Sequence, residues 1–185
     1  MNTYSGVDLP ALLEGEGKQF FYSFFQCKIC QLLLLSDKTG MRKICFIDPA
    51  YQKELKMRGI KLVRRNVLTE EKQIFKLPLK ELEGFFSGGL RKFTMKLNIQ
   101  GTGFQKKVWD QLIKVPYGET VSYSEIAKRI GNPGAARAVG NACNRNPLPL
   151  VIPCHRVVGK SGGLTGYAPG VEYKNKILQI EKKKV

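Results

Sequence analysis

Cys154 and His155 stand side by side in the stretch Asn146-Pro147-Leu148-Pro149-Leu150-Val151-Ile152-Pro153-Cys154-His155-Arg156-Val157-Val158, and His155 is the only histidine of the chain. Thiolate is the nucleophilic form of cysteine, and a neighbouring His or Arg lowers the thiol pKa from its usual value of about 8.5. Pro147, Pro149 and Pro153 fix φ and restrict the residue before each of them, so the loop is stiff. A stiff loop that presents a cysteine beside a base has the character of a held nucleophile. In an extended chain adjacent side chains point to opposite faces, so a direct Cys154–His155 hydrogen bond needs a sharp turn. A bridging water, with a carboxylate orienting the imidazole from behind, is the easier route. The second half offers Asp110, Glu119, Glu125, Glu172 and Glu181 for that task, and spacing does not choose among them. The plainer alternative is a buried cysteine followed by a core histidine, since free Cys is among the most buried residue types.

The remaining cysteines are Cys27, Cys30, Cys45 and Cys143. An odd total without a secretion signal argues against a disulfide framework. Cys27-Lys28-Ile29-Cys30 is a C-x-x-C, but no second pair follows at zinc spacing and the histidine is remote. A structural zinc takes four ligands, and they are not found. Core residues are the plain reading of the pair, with a local disulfide or redox couple as the alternative.

Partners are suggested by charge. The 185 residues carry 31 Lys and Arg against 15 Asp and Glu, a formal net charge of +16. Residues 96–185 hold 15 basic and 5 acidic side chains, net +10, against 16 and 10 in residues 1–95, net +6. That excess is the electrostatic footprint of a nucleic-acid binder, although a generally basic background would look the same. The apolar run Ile29–Leu35 is far too short to span a membrane, and no signal segment opens the chain. The expectation is a cytoplasmic protein of ordinary globular composition, monomeric and without cofactor.

The elements that must hold the loop follow from periodicity. Phe20–Leu35, the turn Ser36–Gly40 and a returning strand Lys43–Ile47 read as a hairpin. Ala50–Arg58 has helix composition, and Leu79, Leu82, Phe85 and Phe86 recur at helical spacing. Phe93, Met95, Leu97 and Ile99 alternate with polar residues as in a strand. The domain boundary is expected at Asn98–Thr102, giving domains 1–98 and 99–185. Beyond it, Phe104, Val108 and Leu112 mark a helix, and Ser122 with Glu125 reads as a capping box for the next. That helix stops at Gly131, and Asn132 with Pro133 suits the start of another, running to about Cys143. Two short helices across a Gly turn form a helix-turn-helix candidate. Residues 134–142 of the second are nearly all small, with Arg137 as the one long cation. A major-groove reader wants several long polar side chains. A small-residue helix with one Arg suits close approach to a narrow groove or an opened base stack, or else is a tightly packed helix with a solvated Arg.

Read together, these segments resemble the O6-alkylguanine-DNA alkyltransferase family. The likeness rests on Pro153-Cys154-His155-Arg156-Val157, with Gly101-Thr102-x-Phe104-Gln105-x-x-Val108-Trp109 and Pro116-Tyr117-Gly118-Glu119-Thr120-Val121-Ser122-Tyr123. Ala136-Arg137-Ala138-Val139-Gly140, Asn146-Pro147, Gly163, Gly166 and Tyr167 extend it over nearly all of residues 101–181. The first half resembles the family only loosely, through Leu82-Glu83-Gly84-Phe85-Phe86-Ser87-Gly88. The resemblance implies an α+β chain with an N-terminal ribonuclease-H-like α/β domain. Its C-terminal domain would be mainly helical and winged-helix-like, carrying the helix-turn-helix.

It also implies roles. Cys154 would accept the alkyl group, His155 would deprotonate it through a water, and Glu181 would orient the histidine. Tyr123 would assist phosphate rotation and donate a proton to the departing guanine, and Asn146 would brace the loop. Arg137 would replace the extruded base, with Ala135, Ala136 and Gly140 beside it at the minor groove. Tyr167, Ala168, Val157 and Trp109 would line the guanine pocket. The partner implied is double-stranded DNA containing alkylated guanine, bound without sequence preference, and O4-alkylthymine is a further substrate.

Three departures qualify this. The N-terminal half has no histidine for the zinc site of some members, so no metal is expected. Ala168-Pro169 replaces small polar and Gly residues of some relatives, which would tighten the pocket against bulky groups. Residues 1–185 match no separate phosphotriester-sensing domain, so a methylation-dependent regulator role is not expected. The rival readings are a non-catalytic helix-turn-helix or lesion-recognition protein and a thiol hydrolase, the latter lacking an obvious third partner and an account of the charge.

Overall fold

The structure, a computed structural model, describes residues 20–47 and 72–183. The helix expected at Ala50–Arg58 lies outside them. The chain divides into two compact units, one of Met1–Phe85 and Thr94–Ile99, the other of Phe86–Phe93 and Gln100–Val185. The detour of Phe86–Phe93 into the second unit has no counterpart in the single boundary expected from sequence. The fold is α+β.

In the first unit β1 (Phe21–Gln26), β2 (Gln31–Asp37) and β3 (Gly40–Ile47) form an antiparallel meander with β2 in the centre. The expected two-strand hairpin is thus three strands, because Cys27–Cys30 turns the chain inside the run taken as one element. Leu32, Leu33, Leu34 and Leu35 of β2 are all buried, on both faces of the sheet. A continuous apolar run is what a strand covered on both faces requires. Leu33, Leu35, Cys45 and Ile47 pack as one cluster with Tyr22 and Phe24 against it. The β2–β3 turn is held by Asp37, whose Oδ1 accepts from the Thr39 and Gly40 N–H groups at 2.7 and 3.2 Å.

Helix α1 (Lys72–Phe86) buries Phe75, Pro78, Glu81, Leu82 and Phe85. The strand expected over residues 93–99 is reduced to one bridge, Met41 with Leu97. Glu81 explains the loss: its carboxylate accepts from the Thr94 and Met95 N–H groups at 2.7 and 3.1 Å, so a side chain occupies donors that a neighbouring strand would use.

The second unit is mainly helical. Helix α2 (Gly103–Ile113) opens on a full capping box: Thr102 Oγ1 accepts from the Gln105 N–H and Gln105 Oε1 from the Thr102 N–H. The box expected at α3 (Tyr123–Arg129) is only half made. Ser122 accepts from the Glu125 N–H, but the Glu125 carboxylate turns to Arg129 at 3.3 Å. α3 closes on Gly131 at φ +76°, whose N–H reaches Lys128 O while Asn132 N–H reaches Ala127 O, a Schellman pair. Helix α4 (Ala136–Asn144) therefore begins three residues later than expected. Asn132 to Ala135 is a turn, closed by Ala135 N–H on the Asn132 carbonyl at 3.0 Å, and Ala135 is the N-cap.

Trp109 fastens α2 to α4. Its indole N–H donates to the Ala142 carbonyl at 2.9 Å, and a Cβ on Gly101 would stand 2.5 Å from its ring. Short strands β4 (Val121–Ser122) and β5 (Val157–Val158) pair in parallel. The last helix, α5 (Val171–Lys182), turns Lys174, Ile177, Leu178 and Glu181 inward. Two of those four inward positions are charged, a pattern that core packing alone does not call for.

Candidate active site

The loop from Asn146 to Cys154 is held by one side chain. Asn146 Oδ1 accepts from the Leu148 N–H at 2.9 Å, and its Nδ2 donates to the Ile152 carbonyl at 2.7 Å and to Cys154 Sγ at 3.0 Å. Within that frame Leu150, buried, sits at φ +77°. A non-glycine residue in that region costs on the order of 1–3 kcal/mol and persists only where the surroundings over-determine it. Pro153, at φ −80° and ψ 62°, forms an inverse γ-turn, with the Cys154 N–H on the Ile152 carbonyl at 2.8 Å. Cys154–Arg156 then make one 3-10 turn. The chain at Cys154 is accordingly bent, and the extended geometry considered from sequence does not occur.

The bend sends the two neighbours to different partners. His155, fully buried, places Nε2 2.8 Å from Glu181 Oε1. Arg156 clamps the same carboxylate, Nε at 3.0 Å from Oε2 and Nη2 at 2.9 Å from Oε1, and donates through Nη1 to the Val115 carbonyl at 2.6 Å. The Gly118 N–H adds a bond to Oε2 at 3.1 Å. Gly118 is at φ +80°, and a Cβ there would meet the Glu181 carbonyl at 3.1 Å, so this approach needs glycine. Of the five acids left open by spacing, the structure brings Glu181 to His155.

Electrostatics follow from burial. Burial pushes Glu181 up, but the hydrogen bonds from His155 and Arg156 outweigh it and hold the carboxyl at about 2. Burial moves His155 below its ordinary value, against the pull of Glu181. The trio is therefore an Arg–Glu ion pair with a neutral imidazole. Cys154 departs from expectation. Burial pushes its thiol up to about 11, against the downward effects of Asn146 and Lys174. Desolvation of the anion outweighs both, and the neutral His155 brings no positive charge to oppose it.

Lys174 is the residue that motif reading missed. Fully buried, it donates through Nζ to the Val157 carbonyl at 2.6 Å and the Thr165 carbonyl at 2.9 Å, 6.0 Å from the Tyr123 ring centroid. The legible signal was its place on the inward stripe of α5. Arg156, quoted within the motif but given no task, was missed likewise.

The other expected residues are placed as follows. Tyr123 shares its hydroxyl proton between the Thr165 and Gly166 carbonyls at 3.1 and 3.2 Å, and burial pushes its pKa up to about 12. Gly140 of α4 lies beside it, where a Cβ would stand 3.8 Å from the Tyr123 ring, an ordinary contact. Tyr167 and Val157 are buried and Ala168 is exposed. Trp109, expected in the pocket, spends its N–H within the helical core. On α4, Ala135 and Ala136 are half-buried, whereas Arg137, Ala138, Asn141, Asn144 and Arg145 form an exposed stripe. The three polar residues beside Arg137 on that stripe were not anticipated.

The family model for the DNA-binding domain of 6-O-methylguanine DNA methyltransferase matches residues 103–183. A methylated-DNA–protein-cysteine methyltransferase of Methanosarcina acetivorans is 43% identical over 162 residues, covering 87% of this chain and 97% of that one. The crystal structure of Mycobacterium tuberculosis O6-methylguanine methyltransferase superposes with a TM-score of 0.76 at 35% identity, covering 90% of this chain and 95% of that one. A second M. tuberculosis structure, of OGT in complex with DNA, matches with a TM-score of 0.71 over 88% of this chain and 92% of that one. With that identity over nearly the whole of both chains, this chain belongs to the methylated-DNA–protein-cysteine methyltransferase family.

Proposed function

We propose that the protein repairs DNA by direct reversal, moving the alkyl group of O6-alkylguanine, and of O4-alkylthymine, onto Cys154 in a single irreversible event. The observation that carries this is a buried thiol held by Asn146 beside a neutral His155 whose Nε2 is committed to an ionised Glu181. Since the carboxylate accepts from Nε2–H, the basic nitrogen is Nδ1. Nδ1 takes the Cys154 proton through a bridging water, and Glu181 stabilises the imidazolium. Sulfur attacks the alkyl carbon, an S–C bond forms, the C–O bond breaks and its electron pair leaves with the guanine. Tyr123 supplies a proton to the leaving base and is restored from the imidazolium, so the thiol proton ends on guanine. A thioether is not a leaving group, and turnover stops.

The acceptor at about 11 makes chemical sense in this scheme. A thiol kept neutral at rest is protected from stray electrophiles, and it is activated only when a base fills the pocket. That pocket is read as Tyr167, Ala168 and the Val157 backbone. Trp109 acts from the core as a positioning residue. The lesion is hidden in a stacked duplex, so the nucleotide must come out, at a cost of a few kcal/mol. Arg137, exposed on a helix of small residues, is read as filling the gap from the minor groove, where Ala135, Ala136 and Gly140 permit close approach. The net charge of +16 supplies sequence-independent affinity. We read the chain as two domains, 1–98 and 99–185, with Phe86–Phe93 packing in the second unit. The meander with its helix supports a ribonuclease-H-like first domain, and α3, α4 and the β4–β5 pair a winged-helix-like second.

The test mixes the protein with a molar excess of a duplex carrying one O6-methylguanine and follows repair and peptide mass together. One methyl on the Cys154 peptide, with repaired DNA never exceeding protein, is the expected result. Sustained turnover, or binding without modification, overturns the proposal.

A further inference from the structure

The turn between β1 and β2 carries a pair of thiols, Cys27 and Cys30, which alkyl transfer does not use. The Cys27 N–H donates to the Cys30 carbonyl at 3.0 Å, and the β1–β2 ladder starts on the next pair, Gln26 with Gln31. The sulfurs of Cys27 and Cys30 lie 3.4 Å apart in hydrogen-bond contact, both as free cysteines. Hydrogen-bonded antiparallel partners have Cα atoms about 5.5 Å apart, within the roughly 4.4–6.8 Å that a disulfide spans. An S–S bond of about 2.05 Å therefore asks for side-chain rotation while the strands stay paired.

The two thiols are unlike. Cys27 is half-buried, and the hydrogen bond from Cys30 draws its thiol down to about 6. Cys30 is buried, and its bond to Cys27 together with burial pushes it up. An accessible attacking thiolate backed by a buried resolving thiol is the division of labour that dithiol exchange requires. Cys45, buried with its thiol pushed up to about 11, shows what a structural cysteine of this unit looks like. No group of three or more His, Cys, Asp or Glu able to hold a metal exists among the described residues, so within them the pair has no companions for a zinc site.

We infer that Cys27 and Cys30 are a thiol–disulfide exchange site, separate from Cys154, whose oxidant is a low-molecular-weight disulfide. Cys27 thiolate attacks one sulfur of RS–SR, forming Cys27–S–SR and releasing RS⁻. Cys30 gives up its proton to that RS⁻ and attacks the Cys27 sulfur, closing the protein disulfide and releasing the second RS⁻. The pair is oxidised by two electrons and RS–SR is reduced, giving one RSH and one RS⁻ from one thiolate, one thiol and one disulfide. A reducing thiol reverses both steps.

The test equilibrates the full chain in glutathione buffers of graded oxidised-to-reduced ratio, quenches with a thiol alkylator and maps peptides. The 27–30 peptide is expected to lose two hydrogens reversibly as the ratio rises. Brief alkylation of the reduced protein at pH 7 should label Cys27 at least tenfold faster than Cys30, Cys45 or Cys143. In Cys30→Ser the mixed disulfide on Cys27 should accumulate, because nothing resolves it. A 27–30 peptide still fully reduced in oxidised glutathione overturns the inference, as does a wild-type mixed disulfide that never closes. If Cys30→Ser does not fold, the wild-type mapping decides alone. Every readout is resolved by peptide, so the result stands whether or not Cys154 accepts an alkyl group.

Discussion

Lys174 Nζ donates to the Val157 carbonyl at 2.6 Å from a fully buried position on α5. A buried cation held by two neutral carbonyls and the face of the Tyr123 ring carries a desolvation cost, and its own pKa falls accordingly. The same charge lowers the pKa of Cys154. Lys174→Met should remove that help and raise the Cys154 thiol above its present value of about 11. Single-turnover transfer from a methylated duplex should slow about tenfold for each unit of that rise. Urea unfolding should show a loss of about 1–3 kcal/mol from the two carbonyls left without their donor. Unchanged transfer beside reduced stability would make Lys174 purely structural.

Acid should unfold the second unit early, for two reasons of the same sign. Glu181 has a folded pKa of about 2, below its ordinary 4.5. Its stabilisation is present above 4.5 and disappears as pH falls toward 2, in all on the order of 3 kcal/mol. His155 is also lowered in the folded state, from an ordinary 6.5. The unfolded chain takes up that proton first, so stability begins to fall below pH 6.5. Unfolding free energies measured from pH 7 to pH 3 should decline throughout, and Glu181→Gln should flatten the part below pH 4.5. A wild-type curve flat to pH 4 contradicts the buried trio.

How much of this was legible depended on whether a residue's task was local. Cys154, His155 and the prolines are neighbours in sequence, so a held nucleophile could be read directly, and Ser122 announced the start of α3 by its own chemistry. Glu181 lies 26 residues from His155, and only the packing of α5 joins them. Lys174 was hidden for the same reason, because periodicity searches look for apolar stripes and this one is half charged. The strand expected at 93–99 failed because Glu81, 13 residues earlier than Thr94, captured its donors. The start of α4 was misplaced because Asn132 served a turn and the end of α3, where a helix cap was read. Thiol acidity was misjudged in direction, since adjacency to His and Arg was visible in sequence and burial was not.

Asn146 offers the sharpest mutational contrast in the loop. Its amide makes three bonds, to Leu148, Ile152 and Cys154, while Leu150 holds a left-handed conformation between them. Asn146→Ala should cost about 2–4 kcal/mol, from three lost bonds of about 1 kcal/mol each and the polar groups they leave unpaired, less whatever strain at Leu150 relaxes. The Cys154 thiol should also lose a donor that lowers its pKa. Asn146→Asp keeps the bond from Leu148 but sets a carboxylate oxygen against the Ile152 carbonyl and the sulfur in place of the amide donor. It should disturb the fold at least as much as Ala and slow transfer further still. Comparison of unfolding midpoints with transfer rates tests this. Transfer no slower in Asp than in Ala would mean that Asn146 acts on the fold alone.

Arg137 is exposed on α4, with Ala138 and Asn141 on the same exposed face. Nothing in the folded protein should depend on it, and Arg137→Ala should leave stability within about 0.5 kcal/mol. Its proposed task exists only in the complex, where it fills the gap left by an extruded base and offsets part of a cost of a few kcal/mol. Loss of 1.4–2.8 kcal/mol of that offset corresponds to a tenfold to hundredfold slower transfer from duplex DNA. An O6-alkylguanine free base needs no extrusion, so its transfer to Cys154 should change by less than about twofold by the same conversion. Arg137 also carries one of the positive charges that attract phosphate, and Arg137→Lys separates the two effects by keeping charge with a different shape. If Lys restores full duplex repair, the contribution is electrostatic. If Lys remains slow on duplex while the free base reacts normally, the guanidinium is needed to hold the duplex open. A parallel loss on duplex and free base would remove Arg137 from base extrusion altogether.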